Sequence, residues 1–160
     1  MPSTSRLLAV AVALAALGAY GTLKSSADAG TGPGTIRITD RQYSYTRVDV
    51  GVPGLSPGDQ EIIYDRLYNR RITSKSIGSA RFLCTFTTGI TRMCTASINL
   101  PKGELIATGT VRFRQFFDLA VVGGTGLYDN ARGTLTIIRT TQAPRPIREL
   151  LYFRLAGWSS

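Results

Sequence analysis

Histidine is absent from all 160 residues of the chain, and cysteine occurs only twice. The absence of histidine excludes a Ser-His-Asp triad, a Cys-His nucleophile pair and the usual histidine-rich zinc site. Two cysteines are also too few for a structural zinc site, so we expect no metal and no cofactor. Any proton transfer must therefore use Asp, Glu, Tyr, Lys, Cys or bound water.

Lysine and acidic side chains are also scarce. The chain has 19 Lys and Arg against 10 Asp and Glu, a formal net charge of +9, and its only lysines are Lys24, Lys75 and Lys102. The arginines are scattered singly, apart from the pair Arg70 and Arg71. Nucleic-acid-binding proteins gather basic charge into a patch or stripe, so nucleic acid is not an expected partner. Scattered positive charge favours anionic surfaces or acidic small molecules instead.

Long uncharged runs are missing except near the N-terminus. Arg6 precedes the uncharged segment 7–23, and the small-x-small sequence Ala27–Ala29 follows. This order is typical of a secretory signal, which predicts an exported protein with a cleaved segment 1–29 and a domain over 30–160. The alternative is an uncleaved anchor that associates with a membrane, because such a run lies at the lower edge of what spans a bilayer.

An amphipathic helical period is also missing from the rest of the chain. Short runs of β-branched and aromatic residues are separated by Gly, Pro, Asn and Asp, which indicates an all-β domain. The predicted strands lie within 35–50, 60–68, 75–87, 91–100, 104–114, 116–122, 133–141 and 147–155. About eight antiparallel strands can close into a single barrel whose apolar lumen holds side chains or one small ligand, and closure leaves no unpaired edge.

Two of these strands are predicted to form a hairpin about Gly89. Reflection about this residue pairs Phe82 with Ala96 and Cys84 with Cys94, so the apolar faces of the strands meet. Opposed Cβ atoms in antiparallel strands lie about 4.5–5.5 Å apart, close to the roughly 3.5–4.5 Å of a disulfide. A disulfide between the two cysteines is therefore predicted for an exported protein. The alternative is two buried thiols that pack as small hydrophobic side chains.

A glycine-rich segment, Val122–Tyr128, reads VGGTGLY and is followed by ARG at Ala131–Gly133. It lacks the Lys-Ser/Thr pair and the following helix of a phosphate-binding loop, so we interpret it as a sharp connection between strands. The segment resembles the strand-connecting motif of the allene oxide cyclase and dirigent families. Weaker similarities at Asp65–Tyr68, Ile77–Cys84 and Gly103–Gly109 extend the resemblance over roughly Gly58 to Gly157.

The resemblance implies a barrel that folds a hydrophobic, polyketide- or lipid-like intermediate in its lumen and steers its isomerisation or intramolecular cyclisation, including [4+2] cycloaddition. Such catalysis suits a chain without histidine, because holding the reacting ends in a near-attack geometry lowers much of the barrier. One alternative is a non-catalytic binder of a hydrophobic metabolite. A second is a basic cell-envelope protein whose exterior binds an anionic polymer. Assembly into a homo-oligomer is compatible with each of the three.

Three carboxylates are the candidate catalytic groups. In the alternating frame Asp65 shares a face with Glu61, Ile63 and Leu67, and it lies where the resembling families have a polar lumen residue. Burial in an apolar lumen raises the pKa of a carboxyl, so Asp65 is the first choice for an acid or a group that orients water. The alternative is a surface carboxylate paired with an arginine. Glu61 and Asp40 are second choices for the same reason.

Aromatic side chains are the candidate substrate-binding groups. They are Tyr43, Tyr45, Tyr64 and Tyr68 for the mouth of the lumen, and Phe82, Phe86 and Phe113 for its wall. A tyrosine hydroxyl can donate a hydrogen bond to a substrate carbonyl. Tyrosines that face outwards from strands and phenylalanines that pack in a core are the ordinary alternatives.

Overall fold

The computed structural model describes residues 34–69, 75–112, 116–140 and 147–156. The elements are β1 Gly34–Val48, β2 Gln60–Tyr68, β3 Gly78–Thr88, β4 Thr91–Leu100, β5 Gly103–Arg112, β6 Phe116–Gly124, a turn of 3-10 helix Gly126–Tyr128, β7 Arg132–Arg139 and β8 Arg148–Ala156. The proposed signal 1–29, its uncharged segment 7–23 and Phe113 lie outside the described residues, so export and membrane association stay predictions. Within the described ranges, no helix has the length and hydropathy needed to cross a membrane.

The eight strands close into one antiparallel barrel, in which each strand pairs with its sequence neighbours and β8 pairs with β1. Across this closing seam, Ile36 lies opposite Phe153 and Asp40 lies opposite Glu149. The seam removes the two unpaired edges that an open sheet would expose. The predicted all-β class and closed eight-stranded antiparallel barrel are confirmed.

The β3–β4 hairpin has the register expected from reflection about Gly89. Phe82 lies opposite Ala96, and Cys84 lies opposite Cys94. The two cysteines are joined by a disulfide, with their Cα atoms 4.0 Å apart. The hairpin therefore has a covalent link on the face that points into the barrel.

Apolar side chains fill one end of the barrel. This filled end lies where β2, β4, β6 and β8 finish, and its fully buried residues include Ile38, Leu67, Ile98, Leu105, Leu135, Leu151, Phe153 and Leu155. They alternate with exposed residues along their strands, as a barrel with one apolar face requires. Burying each of these side chains stabilises the fold by about 1.5–3 kcal/mol.

The glycine-rich segment connects β6 to β7 at this filled end. The backbone N–H of Thr125 donates to the Glu104 carbonyl at 2.8 Å, and that of Leu127 donates to the Lys102 carbonyl at 2.9 Å. The segment is thereby fastened to the turn between β4 and β5. Gly133 has a φ of +148°, and a Cβ at this position would collide with the Arg154 carbonyl. Only glycine allows β7 to approach β8 so closely there.

Candidate active site

A cavity of about 260 Å³ lies in the other half of the barrel, where β1, β3, β5 and β7 finish. Its apolar lining residues include Leu55, Ile63, Phe82, Phe117 and Ile147, and its charged lining residues are Asp40, Glu61, Asp65, Glu149, Arg47, Arg92 and Arg139. The prediction of an apolar lumen therefore fits the filled end but not this half. Two pairs of opposite charge, Arg92 with Glu61 and Arg139 with Glu149, lie within this lining.

A β-bulge at Tyr43 decides which residues of β1 reach the cavity. Gln42 pairs with Asp65 and Ser44 pairs with Tyr64, so Tyr43 is an extra residue with no partner on β2. A bulge of this kind shifts the inward alternation by one position. The cavity is consequently lined by Gln42 before the bulge and by Tyr45 after it.

Tyr45, Glu61 and Arg92 form a buried network near the mouth of the cavity. The Tyr45 hydroxyl donates to Glu61 Oε1 at 2.6 Å, and the Arg92 guanidinium forms an ion pair with Glu61 Oε2. The side chains of Glu61 and Arg92 are only 5% and 7% exposed. Burial lowers the pKa of Arg92 from its ordinary value, with a smaller contribution from the charge of Arg139. A buried pair of this kind is costly to break, because removing either member leaves an uncompensated charge.

Asp40, Asp65 and Glu149 form a second group deeper in the cavity, which we call the carboxylate cluster. Asp40 Oδ1 accepts a hydrogen bond from the backbone N–H of Glu149 at 2.8 Å. The Glu149 side chain pairs with Arg139, whose Nε lies 3.2 Å from Glu149 Oε1. Asp40 is 1% exposed and Asp65 is 5% exposed. No described cation forms an ion pair with either aspartate.

The two buried aspartates titrate far from their ordinary range. Burial raises the pKa of Asp65 to about 7, and the charge of Glu149 adds to this shift. Burial also raises the pKa of Asp40 well above its ordinary value, reinforced by the charges of Asp65 and Glu149. The N–H donated by Glu149 and the charge of Arg139 oppose the shift of Asp40 only in part. Near neutral pH Asp65 is therefore present in both protonated and ionised forms.

The loop between β1 and β2 reaches the mouth of the cavity through Leu55. Its conformation depends on Asp59, a fully buried carboxylate. Asp59 accepts hydrogen bonds from the backbone N–H groups of Val50 and Ser56 at 2.8 and 3.0 Å, and from Arg47 at 2.9 Å. Chiefly because of the two backbone donors, the pKa of Asp59 is lowered to about 2. Asp59 thus holds Arg47 in place at the cavity wall.

The structure brings five of the candidate catalytic and substrate-binding residues to the cavity, namely Asp40, Tyr45, Glu61, Asp65 and Phe82. Phe86 is fully buried but is not among the lining residues, and the Arg92 guanidinium lies 6.0 Å from its ring centre. Tyr68 is buried on the opposite face of β2 from Asp65 and does not line the cavity.

Tyr43 and Tyr64, which are predicted to line the mouth, lie instead on the outside of the barrel. Tyr43 is 68% exposed because it is the bulged residue, and Tyr64 is 38% exposed because it alternates with inward-facing Ile63 and Asp65. Arginines stack on both rings from outside, with guanidinium carbons 4.3 and 4.6 Å from the ring centres. Among the four candidate tyrosines, only Tyr45 lines the cavity.

Four charged lining residues are missing from the sequence prediction: Arg47, Arg92, Arg139 and Glu149. Arg92, Arg139 and Glu149 carried the same signal as Asp65, a charged residue in phase with inward apolar residues, whereas Arg47 lies beyond the bulge, which reverses that phase. Arg92 lies two positions before Cys94 on the same face of β4, and Glu149 lies two positions before Leu151 on the same face of β8. No group of described Asp, Glu or Cys side chains converges closely enough to hold a metal ion.

Solved structures of small β-barrels superpose on this chain. A pyocyanin demethylase matches with a TM-score of 0.66 and 26% identity, over 77% of this chain and 100% of that one. The pterocarpan synthase dirigent protein PsPTS1 matches with a TM-score of 0.67 and 15% identity, over 82% and 99%. The Diels-Alderase AbmU from Streptomyces koyangensis matches with a TM-score of 0.63 and 17% identity, over 81% and 70%. No family model and no curated protein matches the chain.

These similarities bear on the predicted resemblance in two ways. Its dirigent part is confirmed at the level of the fold, whereas its allene oxide cyclase part stays a prediction. The proteins matched include one named as a demethylase and one named as a Diels-Alderase. The chain has the closed β-barrel fold of dirigent proteins and Diels-Alderases.

Proposed function

We propose that the chain is a cyclase or isomerase that binds a hydrophobic small molecule in the barrel cavity and acts on it with Asp65 as the proton-transferring group. The observation that carries this proposal is a carboxyl with a pKa of about 7 in a cavity whose lining combines apolar and charged side chains. A catalytic acid or base works best when its pKa lies near the operating pH. Asp65 meets this condition near neutral pH.

The shape of the cavity supports the binding part of the proposal. Its volume of about 260 Å³ accommodates a few fused rings or a short folded chain. Phe82, Phe117 and Ile63 contact the hydrophobic part of such a molecule, while the polar groups lie beside them. A flexible substrate confined in this space loses most of its unproductive conformations before it reacts, which supplies much of the rate enhancement of an intramolecular cyclisation.

Asp65 supplies the chemical part. In its protonated form it donates a hydrogen bond to a carbonyl oxygen of the substrate, which withdraws electron density from a conjugated double bond and favours its attack by a diene. In its ionised form it removes a proton next to a carbonyl, which is the first step of a double-bond isomerisation. The neighbouring charge of Glu149 helps to keep both forms accessible.

A second candidate function is demethylation of an aromatic compound. It is favoured by the 26% identity to a pyocyanin demethylase, all of whose chain is covered by the match. A hydrolytic demethylation uses the same cavity: Asp65 removes a proton from a water molecule, the water oxygen displaces the methyl group as methanol, and Asp65 returns the proton to the demethylated compound. The two candidates differ in the bond that changes, so products distinguish them.

The test compares the chain with its Asp65→Asn variant and with Asp118→Asn, which removes an exposed carboxylate on β6. Each protein is incubated with a linear trienone, whose diene and enone are joined by a short tether, and separately with pyocyanin. Chiral gas chromatography measures the cyclised isomers, and mass spectrometry measures demethylated pyocyanin. We expect the unchanged chain and Asp118→Asn to accelerate cyclisation with one isomer in excess, and Asp65→Asn to be slower by about 100-fold or more.

Other results would redirect the proposal. Cyclisation at the background rate with all three proteins, together with retained and unchanged trienone in native mass spectra, would favour the binder over the enzyme. Demethylation of pyocyanin that depends on Asp65 would favour the second candidate. An Asp65→Asn variant as fast as the unchanged chain would remove Asp65 from the mechanism.

A further inference from the structure

The charges that line the cavity do not balance. Arg47 is paired with Asp59, which is not a lining residue, while Arg92 is paired with Glu61 and Arg139 with Glu149. Every arginine of the cavity is thus matched with a carboxylate. Asp40 and Asp65 are left over as two lining carboxyls without a matching cation among the described residues.

Asp40 also has an oxygen that the protein does not use. Its Oδ1 accepts the N–H of Glu149, but Oδ2 is buried and has no hydrogen-bond partner among the described residues. A buried polar atom without a partner destabilises the fold, and buried polar groups are almost always satisfied. Since Asp40 lines the cavity, a bound molecule is able to supply the missing donor.

We infer that the ligand of this cavity is an organic cation, with an apolar body against Phe82 and Phe117 and a protonated nitrogen bound by Asp40 Oδ2 within the carboxylate cluster. This inference rests on the proposed small-molecule function and names the class of substrate. The mixed lining of the cavity favours an organic cation over an inorganic one, because the described carboxylates do not converge to hold a metal ion.

The two aspartates then have different roles. Asp40 recognises the nitrogen, whereas Asp65 transfers the proton of the proposed reaction. A cation beside the cluster also favours the ionised forms of both aspartates, whose pKa values are raised by burial. Binding of the cation near neutral pH is therefore expected to release protons from these two groups to the buffer.

The experiment measures binding without turnover, using three compounds with the same ring system. Naphthylmethylamine is a cation near neutral pH, naphthylmethanol is its neutral counterpart, and naphthoate is an anion. Isothermal titration calorimetry in two buffers of different ionisation enthalpy gives the affinity and the number of protons released. The proteins are the unchanged chain, Asp40→Asn, Asp65→Asn and the exterior control Asp118→Asn, each checked for folding by circular dichroism.

We expect the cation to bind about tenfold or more tightly than the alcohol, the effect of one charge-assisted hydrogen bond, and to release protons. Asp40→Asn should lose this preference while still binding the alcohol, and Asp65→Asn should release fewer protons. Asp118→Asn should match the unchanged chain.

Equal affinities for amine and alcohol, tightest binding of naphthoate, or no binding of the amine would each overturn the inference. A preference for the cation that survives Asp40→Asn would overturn the role of Asp40. The trienone has no nitrogen, so it tests the proposed cyclisation without the contact to Asp40, and a failure of either experiment can be told from a failure of the other.

Discussion

Tyr45 donates a hydrogen bond of 2.6 Å to Glu61 inside the cavity, although uninterrupted alternation along β1 would turn Tyr45 outwards and Tyr43 with it. The bulge at Tyr43 places the two tyrosines on opposite sides of the barrel wall. One becomes part of a buried network with Arg92, and the other stays on the surface beneath an arginine.

This relationship predicts different effects for two conservative substitutions. Tyr45→Phe removes the hydrogen bond to the buried Glu61 and should lower the free energy of unfolding by about 1–3 kcal/mol. Tyr43→Phe removes only a solvent-exposed hydroxyl and should change it by less than about 0.5 kcal/mol. Urea denaturation of both variants checks this, and equal effects would place the two tyrosines in equivalent environments.

The raised pKa of Asp65 predicts a stability gain when its carboxyl is replaced. Above about pH 4 the unfolded chain loses the Asp65 proton, whereas the folded chain keeps it until about pH 7, so the folded state loses stability over this interval. Asp65→Asn should therefore be more stable than the unchanged chain at pH 8, by on the order of 4 kcal/mol at most. The difference should shrink towards pH 4. Chemical denaturation at the two pH values measures it, and a pH-independent difference would contradict the assignment.

The contribution of Asp59 to stability should depend on pH in the opposite direction. Its pKa is lowered to about 2, so its hydrogen bonds stabilise the fold above the ordinary carboxyl range, and this contribution disappears as the pH falls through about 2. Asp59→Asn should melt several degrees lower than the unchanged chain at neutral pH and similarly to it near pH 2. Asp49→Asn, at an exposed position of the same loop, is the matched control. Thermal melts followed by circular dichroism should separate the two variants at neutral pH only.

The Cys84–Cys94 disulfide should contribute stability and no chemistry. It closes a short loop, since the two residues are 10 positions apart, and replacing both by alanine should lower the free energy of unfolding by about 2–3 kcal/mol. Both cysteines line the cavity, but the proposed proton-transferring group is Asp65. Activity below the melting temperature of the variant should therefore persist. A variant that is folded yet inactive would assign the cysteines a part in the reaction.

Two adjacent glycines of the β6–β7 connection provide a sensitive test of its packing. A Cβ on Gly124 would lie 2.5 Å from the carbonyl oxygens of Glu104 and Tyr128, whereas a Cβ on Gly123 would meet only the Arg132 side chain at 3.6 Å. Gly124→Ala should therefore destabilise the barrel by about 1–3 kcal/mol, and Gly123→Ala by less than about 1 kcal/mol. Equal melting temperatures for the two variants would show that the connection is loosely packed.

The strands and the β3–β4 register were predictable because local pattern determines them. Residues that alternate between apolar and polar, as around Phe82 and Cys84, define both the strand and its inward face. The same frame correctly put Glu61 and Asp65 on one face of β2. Glu149 and Arg92 obey the same rule, so the signal for them was present in the sequence.

The bulge was not predictable in this way, since its evidence is a pairing between strands. Residues 42–46 of β1 contain no glycine or proline that would mark an extra residue, and only the partners on β2 reveal it. Ion pairs across the lumen, such as Arg92 with Glu61, likewise depend on how three strands curve around the cavity. The pairing of charges in the candidate site therefore could not be predicted without the closed barrel, whereas the strands could be predicted from the sequence.

The glycine-rich connection and the cavity lie at opposite ends of the same barrel. The segment that carries the resemblance in the sequence is thus separated from the groups that we propose select the substrate. Substitutions around the mouth therefore leave the hydrogen bonds that fasten the connection to Lys102 and Glu104 in place. Two chains that share the connection need not share a reaction, and their substrates are better compared through positions such as Asp40, Asp65 and Glu149.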